Sequence, residues 1–235
     1  MNSKVDIAVI DYGMGNLRSV SKALEHVAPD AVVAVTADAG IIRDAARVVF
    51  PGVGAMAECM HELRQRGLVE AVRDAAASKP FLGICLGMQM LFEHSEEGDA
   101  AGLGILPGRV RRFADAAMYD NRNERLKVPH MGWNEVHQAM PHALWHGIAD
   151  EARFYFVHSY YVEAGDPAIV GGYSHYPFPF TCAVAAGNIF AVQFHPEKSQ
   201  SAGLALLANF TAWDGNPSAS GVAVAQLECS GLTSP

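Results

Sequence analysis

Apolar positions in the first half of the chain alternate between short unbroken runs and wider, helical spacing. Residues 5–10 form a β-type run that ends at Asp11-Tyr12-Gly13. Leu17, Val20, Leu24 and Val27 then recur at helical spacing, with Pro29 beyond them as a stop. Residues 31–36 read as a second strand, and Arg47-Val48-Val49-Phe50 as a third, cut off by Pro51-Gly52. One long helical pattern follows over residues 55–77, with Met56, Met60, Leu63, Val69 and Val72 on one face. Residues 80–84 read as a fourth strand, and Met88, Leu91 and Phe92 place a helix after Cys85. Strands that are apolar without alternation belong to a sheet covered on both faces. Strand–helix alternation predicts an α/β fold with a doubly wound, mostly parallel sheet and helices on both faces. Ligands of such sheets sit outside the carboxyl ends of the strands.

The second half changes character. Residues 108–113, 133–137, 153–162, 169–173, 181–186 and 189–194 are β-rich runs separated by Gly, Pro and Asn turns. They predict an antiparallel β extension and return strands of the same domain, spanning residues 1–213. Residues 199–213 read as a final helix. Residues 214–235, rich in Gly, Ser and Ala, read as a loosely packed C-terminal tail without an assigned role.

Composition narrows the function. The 235 residues are 50% hydrophobic and 18% charged, which fits a globular core and excludes a disordered chain. A net charge of −8 disfavours sequence-blind nucleic-acid binding, which needs a basic footprint. The Arg109-Val110-Arg111-Arg112 cluster is too small to reverse that balance and reads as a solvated strand face. No apolar stretch approaches the ~20 residues that span a bilayer, and no signal-peptide pattern opens the chain. The four cysteines, Cys59, Cys85, Cys182 and Cys229, are too scattered for a disulfide scaffold and lack zinc-site spacing. These features predict a cytoplasmic protein with reduced thiols.

Three motifs carry candidate chemistry. In Leu82-Gly83-Ile84-Cys85-Leu86-Gly87 a strand runs into Gly-x-Cys-x-Gly and a helix leaves it, the thiol version of a nucleophile elbow. The glycines keep the turn uncrowded, and the helix N-terminus favours negative charge on the sulfur. In Gln193-Phe194-His195-Pro196-Glu197, His195 and Glu197 are two residues apart in a segment expected to be extended, so both side chains point the same way. A carboxylate so placed holds one imidazole nitrogen and leaves the other to take a thiol proton. In Phe50-Pro51-Gly52-Val53-Gly54-Ala55 the glycines let backbone N–H groups approach a ligand, as an oxyanion requires. The backbone N–H of Leu86, which follows the nucleophile, is the natural second donor. Gly52-x-Gly54-x-x-Ala57 also fits a dinucleotide fingerprint, but the next strand ends in Ile84-Cys85 rather than an acid. Cys59, Cys182 and the Met56/Met60 stripe read as packed core, and Cys229 as a free thiol in the tail.

These motifs, with Asp11-Tyr12-Gly13-Met14-Gly15-Asn16, Pro129-His130-Met131-Gly132-Trp133-Asn134, Phe156-Val157-His158-Ser159-Tyr160-Tyr161 and Lys198-Ser199, resemble class I glutamine amidotransferases over residues 5–213. More narrowly, they resemble the glutaminase subunits of imidazole glycerol phosphate synthase. The resemblance implies hydrolysis of glutamine through a Cys85–His195–Glu197 triad and a thioester, with no cofactor and no metal. It implies oxyanion donors at Val53 and Leu86, and glutamine held by Gly52, Gln89 and the Ser159-Tyr160 backbone. It further implies delivery of ammonia to a (β/α)₈ cyclase partner in histidine biosynthesis, with Asn16, Met131, Trp133 and Lys198 facing that partner. The same residues leave two other readings open. One is a glutaminase subunit of another synthase, for anthranilate or pyridoxal phosphate. The other is a non-catalytic partner-binding module.

Overall fold

The computed structural model describes residues 4–114, 117–119 and 122–216. Cys229 and all of the expected tail beyond residue 216 lie outside the described residues. Strands β1 (Ile7–Ile10), β2 (Val33–Thr36), β3 (Arg47–Gly52) and β4 (Phe81–Cys85) alternate with helices α1 (Leu17–Val27), α2 (Ala39–Asp44), α3 (Met56–Gln65) and α4 (Val69–Ser78). A single turn, α5 (Leu86–Gln89), follows β4. The β-rich half comprises β5 (His94–Ser95), β6 (Ala100–Ala101), β7 (Gly108–Arg112), β8 (His130–Gln138), β9 (Ala152–His158), β10 (Tyr160–Ala164), β11 (Val170–His175), β12 (Pro179–Ala186) and β13 (Ile189–Val192). Helix α6 (Gln200–Ala212) closes the order.

Five strands, β2-β1-β3-β4-β13, run parallel at the centre. The sheet continues antiparallel through β12, β10 and β7. A branch, β11-β8-β9, leaves from β12. Alternate residues of the parallel strands feed two cores. Ala8, Ile10, Val48 and Phe50 pack with Ile42 of α2 and the apolar faces of α3 and α4. Ile7, Val9, Val49, Leu82 and Ile84 pack with Val20 and Leu24 of α1 and with Leu206, Leu207 and Phe210 of α6. The sheet is therefore covered on both faces, as the unbroken apolar runs require.

Three boundaries differ from those the sequence predicts. The helical pattern over 55–77 is two helices, because Gly67 takes a left-handed φ of +66° and Leu68 N–H bonds the Leu63 carbonyl to close α3. The run over 153–162 breaks at Ser159, where the chain leaves β8's partner strand and joins β7 and β12. Pro51 does not cut β3 short. Val48 donates toward β4, so alternation turns Pro51 toward β1, which has already ended; its carbonyl accepts from the Tyr12 hydroxyl instead (2.9 Å).

Helix α6 lies close against the short 3₁₀ turn at Pro196–Lys198. A Cβ on Gly203 would overlap the Pro196 carbonyl. Gly203→Ala therefore lowers stability by about 2 kcal/mol despite alanine's better helix propensity, because a clash with backbone outweighs that gain. Urea unfolding checks this, and a more stable variant would contradict it.

The β8–β9 pair buries two facing histidines, with His130 Nδ1 2.9 Å from His158 Nε2. Burial lowers His130 to about 4. Burial, then the charges of His130 and His195, lowers His158 to about 3 against the pull of the Tyr160 carbonyl. The unfolded chain therefore binds protons that the folded chain refuses. Stability is kept above about pH 6.5 and lost as pH falls toward 4. Between pH 7 and pH 5 each histidine costs about 2 kcal/mol, measurable as a falling urea midpoint.

Candidate active site

Strands β4 and β13 are parallel neighbours in register, with Ile84 beside Val192. Cys85 ends β4, and His195 lies three residues beyond β13, at the same carboxyl edge of the sheet. Cys85 takes φ +55° and ψ −114°, a strained conformation for a residue with a side chain. The surroundings enforce it. A Cβ on Gly87 would overlap the Phe50 carbonyl, and one on Gly83 would come within 2.9 Å of the Ala191 Cβ. The elbow glycines are thus demanded by close packing of β4 and α5 against β3 and β13. The helix beyond Cys85 is one turn rather than the longer helix expected. One turn carries little of the dipole that a long helix would bring to the sulfur.

His195 is clamped by its backbone. Its N–H donates to the Tyr155 carbonyl (2.9 Å), and its own carbonyl accepts from the Ser199 hydroxyl (2.6 Å). Ser199 Oγ in turn accepts from the Tyr155 N–H (3.0 Å). Nδ1 of His195 lies 2.9 Å from Glu197 Oε1, and both side chains are buried. The contact arises differently from the expected extended segment: Pro196 opens a 3₁₀ turn that folds Glu197 back under the ring. Nε2 of His195 and Oε2 of Glu197 are buried without a hydrogen-bond partner. Burial disfavours a charged imidazole, but the negative charge of the Cys85 sulfur, then the Glu197 carboxylate, outweigh it and raise His195 to about 10.

A cleft of about 300 Å³ opens over this pair. Cys85, Leu86, Gln89, His195, Val53, His158, Ser159 and Tyr160 line it, together with Glu97. Val53 and Leu86, the expected oxyanion donors, therefore face one space with the thiol. Gly52 is placed behind the elbow, where a Cβ would meet the Tyr12 hydroxyl at 2.7 Å and the Gly87 nitrogen at 2.9 Å. Its smallness shapes the turn. The Tyr160 carbonyl accepts from Gln89 Nε2 (3.1 Å) and bonds His158 Nδ1 (2.8 Å), so both its acceptor positions serve the cleft wall.

Two residues of the site are given no role by the motifs. One oxygen of Glu97 accepts from the Met56 N–H at the start of α3 (2.8 Å), and burial raises the pKa of this acid. In the sequence it hides in the acidic run Glu96-Glu97-Gly98-Asp99, which looks like solvated surface. Gln193 is buried, and its Nε2 donates to Cys85 Sγ at 3.8 Å. Its spacing two residues before His195 is the signal that could find it.

The residues expected to face a partner gather near the same edge. Met131 is 62% exposed and Trp133 40% exposed. Trp133 packs edge-on to Tyr155 at 6.1 Å, and the Lys198 ammonium sits 5.9 Å from that ring's centroid. Asn16 precedes α1 without capping it through its side chain, and α1 touches the 3₁₀ turn that bears Lys198. Elsewhere, Cys59 and Cys182 are buried and raised by burial, Cys59 to about 11. Arg109 and Arg111 pair with Glu163 on an exposed strand face. Among the described residues no helix is long and apolar enough to cross a membrane.

Most of the chain is similar to known proteins. The sequence profile of class-I glutamine amidotransferases matches residues 8–212. The chain is 66% identical over 225 residues to the imidazole glycerol phosphate synthase subunit HisH of Thiobacillus denitrificans, covering 96% of this chain and 99% of that one. It is 67% identical over 208 residues to the same-named subunit of Nitrosospira multiformis, covering 88% and 98%. Among solved structures, the glutaminase domain of Trypanosoma brucei CTPS superposes with a TM-score of 0.59 at 16% identity, over 89% of this chain and 95% of that chain, which speaks to the fold alone. The chain belongs to the class I glutamine amidotransferases, within the HisH family of imidazole glycerol phosphate synthase subunits.

Proposed function

We propose that the chain hydrolyses glutamine to glutamate and ammonia at Cys85 and passes the ammonia to a cyclase partner in histidine biosynthesis. The observation that carries this reading is the shared cleft of Cys85 and His195, with Glu197 2.9 Å from the imidazole. His195 takes the thiol proton at Nε2, and the sulfur attacks the side-chain amide carbon of glutamine. The C–N bond then breaks, and ammonia leaves with the proton from His195. Water, deprotonated by His195, attacks the thioester; the C–S bond breaks with its electrons returning to sulfur, and glutamate departs. Glu197 holds the ring in one orientation and balances its charge.

The oxyanion of each tetrahedral intermediate falls to the N–H groups of Val53 and Leu86, each worth about 3 kcal/mol of barrier. Glu97, the acid lining the cleft, suits the ammonium of the glutamine backbone. Gln89 has both N–H groups committed, so it offers its Oε1 to the substrate. The partner, which makes imidazole glycerol phosphate and an aminoimidazole carboxamide ribotide, would dock over Asn16, Met131, Trp133 and Lys198. An exposed tryptophan beside an exposed methionine has the composition of an interface core.

Two measurements test this. Cys85→Ala in complex with the cyclase should lose glutamine-dependent product formation and keep the ammonia-driven reaction; surviving glutamine turnover removes the nucleophile. Trp133→Glu should weaken cyclase binding at least tenfold in a titration, as for an interface anchor, while an unchanged affinity would take Trp133 out of the contact.

A further inference from the structure

Cys85 has a second polar neighbour besides the imidazole. Gln193 Nε2 donates to Cys85 Sγ at 3.8 Å, and the Gln193 side chain is fully buried. A carboxamide can be turned end for end, so its orientation needs a cause. Gln89 supplies it, donating from Nε2 to Gln193 Oε1 (2.9 Å) and to the Tyr160 carbonyl (3.1 Å). A carbonyl only accepts, so Tyr160 forces the NH₂ end of Gln89 inward. That NH₂ in turn forces the oxygen of Gln193 toward Gln89 and its NH₂ toward the sulfur.

The same carbonyl fixes the histidines behind it. His158 must present Nδ1–H to Tyr160, so its Nε2 accepts from His130 Nδ1–H, and His130 Nε2 accepts from Asn134 Nδ2 (3.2 Å). Both rings are then neutral, in accord with their burial. The two histidines and Gln89 thus converge on one acceptor, Asn134 being held separately by the His175 carbonyl and the Glu135 N–H, and the end of the array toward Cys85 is an N–H aimed at the sulfur.

We propose that Gln193 is a further catalytic residue, whose N–H holds the Cys85 sulfur as a thiolate, and that Gln89 is the positioning residue keeping that N–H on target. The inference rests on the reading of Cys85 as nucleophile. It acts at two moments. When the thiol proton moves to His195, the sulfur gains charge and the Gln193 N–H stabilises it. When the thioester breaks, the C–S electron pair returns to sulfur and the same N–H receives it. In the thioester itself the sulfur is uncharged and the bond weakens, so the interaction favours the steps in which sulfur carries charge.

The test uses the complex with the cyclase. Gln193→Leu should lower glutaminase kcat about tenfold, the scale of a lost hydrogen bond to a charged group, with KM for glutamine little changed. Alkylation of Cys85 by iodoacetamide at neutral pH, followed by mass spectrometry, should slow by a similar factor. Gln89→Leu should slow alkylation too, and the double variant should be no slower than Gln193→Leu, because the two act through one N–H. Ammonia-driven product formation reports that the complex is intact. If Gln193→Leu does not assemble, Gln193→Met, close in length and without a donor, carries the same expectations. Unchanged alkylation in these variants, or a loss confined to KM, overturns the inference. Glutamine turnover in Cys85→Ala would instead overturn the nucleophile assignment beneath it.

Discussion

The parallel pairing of β4 with β13 is the contact on which the site depends. It sets Ile84 beside Val192 and so brings Cys85 and His195 to one edge, although they are 110 residues apart in the chain. Between the two strands in sequence lies the whole antiparallel extension, which must fold back for β13 to insert next to β4. Cys85 and His195 are therefore brought together only when the last sheet strand is in place. The site is a property of the completed sheet rather than of either half.

Around that pairing, polar groups are few and tied down. The His195 backbone is held by Tyr155 and Ser199, its ring by Glu197, and the Gln89–Gln193 pair by the Tyr160 carbonyl. β9 and β10 contribute to both sides of this arrangement, since Tyr155 grips the histidine loop and Tyr160 the glutamines. The break at Ser159, between those strands, opens onto the cleft. Buried groups held this closely need no reorganisation when charge appears on sulfur or oxygen.

Much of this is legible in the residues. Unbroken apolar runs identify the parallel strands, Gly-x-Cys-x-Gly the tight turn at Cys85, and His195-Pro196-Glu197 an imidazole with a carboxylate against it. Legibility fails where local pattern is silent about geometry. The apolar face over 55–77 runs on through Gly67, whose positive φ breaks the helix without interrupting the periodicity. Pro51 reads as a strand stop, yet it is tolerated because β1 ends first. Glu97 looks like one of several surface acids until the start of α3 and the cleft half-bury it between them. Gln193 looks like an ordinary strand residue until the pairing of β13 with β4 sets it against the sulfur.

The missing side chain of Gly87 has a mechanical meaning. With Gly87 laid on the Phe50 carbonyl, and Gly52 on the Gly87 nitrogen and Leu86 Cβ, no slack remains between the end of β3 and the elbow. Val53 stands at the surface end of that contact, 37% exposed, and Leu86 at its inner end. The spacing between the Val53 backbone and the Leu86 backbone is therefore set by main chain laid on main chain, and no side-chain rotamer enters into it.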